Sequence, residues 1–186
     1  LGIMGVELWF HANGIDESNV HHPYKVKSHG IGNSQILPKD YRRKGDIELI
    51  LREMAEQVAV RLRRVRKKTT CVSIHVGYSR TEEKKSIQAQ RKIDPTNQTK
   101  PLTEVVLDLF RQKYTSGAVR RVGISYQGLV DEAITVFSLF DDYEQVEKEE
   151  KLQKAVDTIR DEFGFTSLLK ANSLLESSRV KARSQL

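Results

Sequence analysis

The sequence has few cysteines that could cross-link it and no long apolar run that could anchor it in a membrane. Its 186 residues include one cysteine, Cys71, and four prolines, and no apolar run approaches the roughly 18 residues of a membrane span. A single cysteine cannot close an internal disulfide, which excludes a disulfide scaffold and leaves no argument for secretion. Hydrophobic residues make up 38% and charged residues 30%, so a collagen and a fully disordered chain are excluded too.

Positive charge predominates, and its distribution is uneven. Lys and Arg number 31 against 25 Asp and Glu, a net charge of +6. Residues 1–140 hold 23 basic and 15 acidic residues, whereas residues 141–186 hold 8 and 10. This pattern has two interpretations. Residues 1–140 bind a polyanion and residues 141–186 do not, or the Lys and Arg residues simply form a solvated surface.

Hydrophobic periodicity predicts the element order β-α-β-β-α-β. The expected strands cover residues 28–37, 71–78, 84–93 and 118–126, and the expected helices cover residues 46–67 and 100–114. Two helices on one face of a four-stranded sheet, with the other face open to solvent, make an α+β fold.

Local signals set the expected boundaries of these elements. Pro38 closes the first strand, and the polar residues 79–83 form the turn between the second and third strands. Asp46 and Thr99 are expected to cap the two helices, and Val65 to face the core.

Further helices are expected at both ends of the chain. Residues 1–13 read as a short helix, and the charged residues 144–163 read as a longer one. A second short tail helix should contain Leu168 and Leu175. The apolar stripe of the tail must pack on something, either the body, another copy or a partner protein.

The face of the sheet that the helices leave open is expected to be rich in hydrogen-bond donors and free of acids. Strand alternation gives this face the residues Ser73, His75, Ser86, Gln88, Gln90, Lys92, Arg121 and Ser125. Ser28, Asn33 and Ser34 of the first strand complete the candidate DNA-contact residues. Donors without carboxylates suit phosphate oxygens, which only accept, and this makes the functional interpretation preferable to a merely solvated face.

Two further features bear on which polyanion is bound. The open face has no central aromatic residue on which splayed bases could stack, so a duplex backbone is favoured over single-stranded RNA or DNA. Residues 61–68 place six basic residues in eight, at the end of a helix behind the sheet. We interpret this run as suited to the helix dipole rather than as a binding patch.

Three segments carry a resemblance to a known family. The segments LGIMGVELWFHANGID (1–16), SHGIGNSQILPKDY (28–41) and AVRRVGISY (118–126) resemble Y-family, UmuC-like translesion DNA polymerases of the ImpB/MucB/SamB type. The resemblance implies the end of a thumb and linker at 1–24, a little-finger domain at 25–133 and a helical tail at 143–186. In that family the little finger lies in the major groove of the template–primer duplex.

The resemblance also implies what this chain lacks. Nucleotidyl transfer in such polymerases uses palm carboxylates and magnesium, and those residues would precede Leu1. We therefore expect the chain to need no cofactor itself and to be inactive as a polymerase alone. Asp141 and Asp142 are not expected to replace the palm acids. The five histidines do not recur at ligand spacing, so no metal site is expected.

A short apolar motif follows the predicted domain, within residues 134–142. Val136-Phe137-Ser138-Leu139-Phe140 is similar to the pentapeptide that bacterial proteins insert into the sliding clamp, with Val136 where that motif prefers Gln. Leu139 and Phe140 would be the anchors and Phe137 a helper, because adjacent large apolar groups need a pocket. The alternative is a fifth edge segment packed on its own domain.

The leading hypothesis is thus a duplex-binding accessory domain of a cytoplasmic lesion-bypass polymerase in SOS damage tolerance, tethered to the sliding clamp. The alternative is a protein-interaction module that assembles with clamp or recombinase and touches DNA only incidentally. Neither hypothesis involves a membrane.

Overall fold

The computed structural model describes residues 2–16, 21, 30–133 and 143–183. Within these ranges the strands are β1 (Gly30–Tyr41), β2 (Lys67–Tyr78), β3 (Ile87–Thr96) and β4 (Val119–Asp131). The helices are α1 (Gly2–Ala12), α2 (Lys44–Arg64), α3 (Thr99–Lys113), α4 (Tyr143–Phe163) and α5 (Val180–Arg183). The predicted β-α-β-β-α-β order and the α+β class are confirmed.

The four strands form one sheet in the order β1-β4-β2-β3, with every neighbouring pair antiparallel. The last strand of the motif therefore lies between the first and the second. The predicted hairpin of β2 and β3 is present, with Val76 opposite Ile87. Strands β1 and β3 are the two edges.

Helices α2 and α3 cover one face of this sheet and close the core. Their apolar stripes meet the inward residues of the central strands, and Val72, Ile74 and Val76 of β2 are all buried. Tyr126 of β4 is fully buried, and its hydroxyl donates to the Ala55 carbonyl at 3.1 Å, so its polar atom is satisfied.

Both helix caps differ from the sequence predictions. Helix α2 begins two residues before Asp46, with Arg43 as its N-cap, and α3 begins after Gln98 rather than after Thr99. Helix α2 ends at Arg64, and the chain turns through Arg66, which has a φ of 52°. This turn leaves Val65 outside the helix and 53% exposed, so the prediction that it faces the core was wrong.

Several strand boundaries also differ from the predictions, among them the end of β1 and the start of β3. Strand β1 runs through Pro38 to Tyr41, which is possible because β1 is an edge strand and a proline there forfeits no hydrogen bond to a further neighbour. Its pairing with β4 is irregular between Ile36 and Tyr41. The connection between β2 and β3 covers residues 79–86 rather than 79–83.

That longer connection is held by one carboxylate. Glu82 accepts a hydrogen bond from the Ala118 backbone N–H at 2.9 Å and another from Arg42 Nη1 at 2.9 Å. The bond from Ala118, followed by the charge of Arg42, lowers the pKa of Glu82 below its ordinary 4.5. Glu82 thereby ties the loop to the first residues of β4.

The tail packs on the helices of its own body. Arg160 of α4 is 4% exposed and donates to Glu56 Oε1 of α2 at 2.8 Å and to the Leu168 carbonyl. Beyond Gly164, which has a φ of 88°, the predicted second tail helix is absent. Two short 3-10 turns, Phe165–Ser167 and Ala171–Leu174, take its place before α5.

The remaining helix, α1, has a largely exposed surface. Met4, Leu8 and Trp9 are each about 60% exposed, so this helix contributes little to the core described above. None of the described helices has the length and apolar content needed to cross a membrane.

We expect Leu51→Ala in α2 to lower the free energy of unfolding by about 2–5 kcal/mol, because it empties a fully buried site. The matched control is Leu152→Ala in α4, whose side chain is 66% exposed and whose loss should cost no more than about 0.5 kcal/mol. Urea denaturation of both variants measures the difference. Equal losses would contradict the assignment of the core to α2.

We expect the 79–86 connection to loosen in acid. Since the folded pKa of Glu82 lies below the unfolded one, its stabilisation is complete above the ordinary pKa and is lost as the pH falls through the lowered value. Amide-exchange protection of Ala118 should therefore fall as the pH drops through the lowered pKa of Glu82. In Glu82→Gln it should be reduced already at pH 7, whereas Glu83→Gln, an exposed neighbour, should match the wild type.

Candidate nucleic-acid interface

The open face of the sheet is organised into four rows by the strand register. From β1 to β3 the rows are Gly30-Gln127-Cys71-Lys92, Gly32-Ser125-Ser73-Gln90, Ser34-Gly123-His75-Gln88 and Ile36-Arg121-Gly77. We call these residues the open face. None of them is Asp or Glu. Alternation places the residues between them on the helix side, as the burial of Val72, Ile74, Val122 and Ile124 shows.

The middle of the open face is a shallow depression, because its residues are mainly glycines and serines, whose side chains are absent or small. A Cβ on Gly32 would lie 2.8 Å from the Ile124 carbonyl oxygen, and one on Gly123 would lie 3.3 Å from Ser34 Cβ. These positions leave a shallow cavity of about 850 Å³ over the two central rows. The long side chains of Gln88 and Gln90 on β3 stand beside it and are exposed.

Two cations flank this cavity at opposite corners, Lys92 on β3 and Arg121 on β4. Both are exposed, and within the described ranges neither makes an ion pair. Their sequence neighbours differ: Arg91 pairs with Asp108 of α3 at 2.6 Å, and Arg120 pairs with Asp40 at 3.5 Å. The same residue types are thus neutralised away from the open face and left uncompensated on it.

Acidic residues of the strands lie beyond the four rows. Asp94 is exposed on β3, two residues after Lys92. Asp131 lies at the end of β4, where Lys67 Nζ contacts it at 2.5 Å. The centre of the open face therefore presents hydroxyl, amide, imidazole and cationic groups, which can all donate hydrogen bonds to an anion.

Most of the predicted contact residues share this surface. Those on it are Ser34, Ser73, His75, Gln88, Gln90, Lys92, Arg121 and Ser125. Ser86 is exposed in the loop one residue before β3. Ser28 lies outside the described residues. Asn33 is paired with Ile124, whose side chain is in the core, so alternation places it off the four rows, but it also lines the cavity over the open face, and its contact with DNA stays a prediction.

Gln127 is an exposed member of the open face that the sequence prediction missed. The predicted fourth strand ended at residue 126, one residue too early to include it. Extending the alternation of Arg121, Gly123 and Ser125 by one step would have found it. Gly128, with a φ of 62°, follows directly, and beyond it Leu129 packs on the core, so the polar series ends there.

Two other candidate sites have different outcomes. The clamp-binding residues Phe137, Leu139 and Phe140 lie outside the described residues. The basic run at 61–68 is not on the open face, and Arg63 and Arg64 pair with carboxylates of α4. In the described part of the chain, no group of three or more His, Cys, Asp and Glu is arranged to hold a metal ion.

Comparison with known proteins agrees with this fold. Residues 28–139 match the model of the impB/mucB/samB family C-terminal domain. The chain is 34% identical over 186 residues to "Putative UV-damage repair protein UvrX" of Bacillus subtilis (strain 168), covering 100% of this chain and 44% of that protein. It is 30% identical over 185 residues to "DNA polymerase IV 2" of Halalkalibacterium halodurans, covering 99% and 44%. The chain thus spans under half the length of these relatives.

A solved structure described as "Complex of beta-clamp processivity factor and little finger domain of PolIV" aligns with 61% of this chain and 100% of that chain, at 14% identity and a TM-score of 0.46. The family match covers more than half of the sequence and includes all four strands. The chain therefore belongs to the impB/mucB/samB family and carries its C-terminal domain.

Proposed function

We propose that this chain is the duplex-binding accessory domain of a translesion DNA polymerase and that it holds the DNA backbone on its open face. The observation that carries the proposal is the pair of uncompensated cations, Lys92 and Arg121, at the corners of an acid-free surface. Phosphate contacts of this kind position a protein on DNA without reading its sequence.

The spacing of the two cations favours a duplex. Their rows are six residues apart along β2, from Cys71 to Gly77, which corresponds to about 20 Å at about 3.3 Å per residue. The major groove of B-DNA is about 12 Å wide, so cations this far apart can reach phosphates on both sides of it. The low centre formed by Gly32 and Gly123 lets the sheet approach the groove without a steric clash.

The side chains of the open face also disfavour stacked single strands. Base stacking needs aromatic platforms, and the four rows contain no Phe, Tyr or Trp. His75 in the third row is the one ring among them. A grip on phosphates should be insensitive to sequence and should weaken steeply with salt.

In this proposal the chain positions the DNA duplex and contributes no catalytic residue. We infer that the parent protein is a DNA-directed DNA polymerase whose magnesium-binding carboxylates lie in the part of its length that this chain does not span. The domain would hold template and primer behind that active site. Reaction rate then depends on it through the orientation and residence of the duplex.

The competing hypothesis is a protein-interaction module, in which the same polar face meets a protein such as a clamp or a recombinase. A protein partner would bury the serines and glutamines without requiring free cations. Removal of the two cations alone therefore separates the hypotheses.

We expect Lys92→Gln with Arg121→Gln to weaken binding of a mixed-sequence duplex at least about tenfold at about 0.1 M salt and to lower the salt slope by about two. The matched control is Arg91→Gln with Arg120→Gln, the adjacent residues that are paired with carboxylates, which removes the same charge. Fluorescence anisotropy over a salt series measures both. Equal loss in the two variants would reduce the effect to net charge and refute the proposed face.

We further propose, from the sequence alone, that residues 136–140 bind a bacterial sliding clamp. Leu139 and Phe140 are adjacent large apolar residues followed by two aspartates, Asp141 and Asp142. Insertion of such a pair into a pocket supplies most of the binding energy of a short peptide. The tether would raise the local concentration of the polymerase at the primer end.

For the clamp, we expect Leu139→Ala with Phe140→Ala to lower retention on immobilised clamp at least about tenfold, because both anchors are lost. Leu174→Ala with Leu175→Ala is the control, an adjacent apolar pair in the tail that is 70% and 58% exposed. Surface plasmon resonance with the full chain measures retention. Unchanged retention of the first variant would remove the clamp proposal and leave the DNA proposal untouched.

A further inference from the structure

The basic run at residues 61–68 has a charge density that the open face lacks. It forms the end of α2 and the start of β2, and six of its eight residues are Lys or Arg. Its last-turn arginines pair with the tail on the helix side of the fold, so the proposed grip on the open face does not use them. The grip on the open face therefore leaves this run without a function.

The cations of this run converge on one cleft between the body and α4. The cleft has a volume of about 780 Å³, and its cationic lining residues are Arg63, Arg64, Arg66, Lys68 and Lys154. Arg66 and Lys154 are exposed, and within the described residues neither makes an ion pair. Four carboxylates, those of Glu132, Glu150, Asp157 and Asp161, also line the cleft, so its five cations exceed its acids by one with the tail in place.

Two carboxylates of α4 occupy the inner end of this cleft. Arg63 Nε donates to Asp157 Oδ2 at 2.5 Å, and Arg63 Nη2 donates to Asp157 Oδ1 at 3.0 Å. These side chains are only 13% and 17% exposed. Asp161, one helical turn later, accepts from Arg64. A guanidinium binds a phosphate through the same pair of parallel hydrogen bonds, so the two tail acids stand where phosphate oxygens would.

We propose that the basic run is a second binding site for a nucleic-acid backbone and that α4 covers it. The ligand class follows from the geometry: guanidinium forks suit phosphodiesters, and the free cations beyond Asp157 and Asp161 give a longer polyanion contacts that the tail does not make. The tail competes as a covalently attached ligand of high local concentration. This site is separate from the open face, and its existence does not rest on the proposed function.

The rest of the tail docking does not depend on Asp157 or Asp161, and Glu149 of α4 pairs with Lys100 of α3 at 3.1 Å. Arg160 reaches Glu56, and Ser178 Oγ donates to Glu53 Oε1 at 2.5 Å, both on α2. Neutralising Asp157 and Asp161 therefore uncovers the charge of the run while leaving these other attachments intact. The site can be tested without removing the tail.

The test compares two isosteric double variants of the full chain. Asp157→Asn with Asp161→Asn should raise affinity for a mixed-sequence duplex about tenfold at about 0.1 M salt and steepen the salt slope by about two. The control, Glu147→Gln with Glu162→Gln, removes the same charge from exposed positions of the same helix that make no contact with the run. Fluorescence anisotropy over a salt series measures both.

Two further variants keep the outcome decisive. Adding Arg63→Gln and Arg64→Gln to the Asp157/Asp161 variant should abolish the gain, since the uncovered cations are gone. Adding Lys92→Gln and Arg121→Gln should leave the relative gain intact, which separates this site from the open face. An equal gain in the Glu147/Glu162 control, or no gain in the Asp157/Asp161 variant, would overturn the proposal.

Discussion

The sheet is covered by helices on one face only, and the arrangement of the candidate site depends on this constraint. Because side chains alternate along each strand, the burial of Val72, Ile74 and Val76 under α2 and α3 forces their neighbours onto the opposite face. The antiparallel register then aligns those neighbours across four strands. A shift of one residue in any central strand would exchange the two sets, so the apolar core fixes where each cation of the open face stands.

The part of this arrangement that depends on alternation could be predicted from the sequence, and the part that depends on strand order could not. Ser73, His75, Gln88 and Gln90 were placed on one face because β2 and β3 alternate cleanly. The side of the sheet on which Asn33 lies is not evident from the sequence, because both glycines of β1, Gly30 and Gly32, fall in the set opposite to Asn33 and give that set no side chains to compare; its pairing with Ile124 indicates the side. Pro38 was taken as a strand end because nothing local marks β1 as an edge.

The ion pairs of the strand arginines could not be predicted from the sequence either. Composition gives the net charge, but Arg120 and Arg121 are adjacent and identical, and only the packing of Asp40 near the first distinguishes them. Arg91 and Lys92 differ in the same way, through Asp108 of α3. Asp40 of β1 and Asp108 of α3 thus neutralise the two neighbouring arginines, whereas the four rows of the open face contain no carboxylate. Because of this segregation, the excess positive charge lies on one face of the protein. The location of the charge matters more for binding a polyanion than the net charge of the chain does.

The tail is also held to the rest of the fold by ion pairs, and these pairs differ in strength. Arg160 and Glu56 are both nearly buried. Separating them would leave a buried charge without a partner, which costs about 3–5 kcal/mol of stability. Arg64 and Asp161 are about half exposed, and pairs of that kind contribute little and are screened by salt. The docking of α4 therefore has a persistent part, which includes the Arg160–Glu56 pair and the largely buried Arg63–Asp157 pair, and an adjustable part at the exposed Arg64–Asp161 pair. An external polyanion competes most readily with the adjustable part, where the ion pair is weakest.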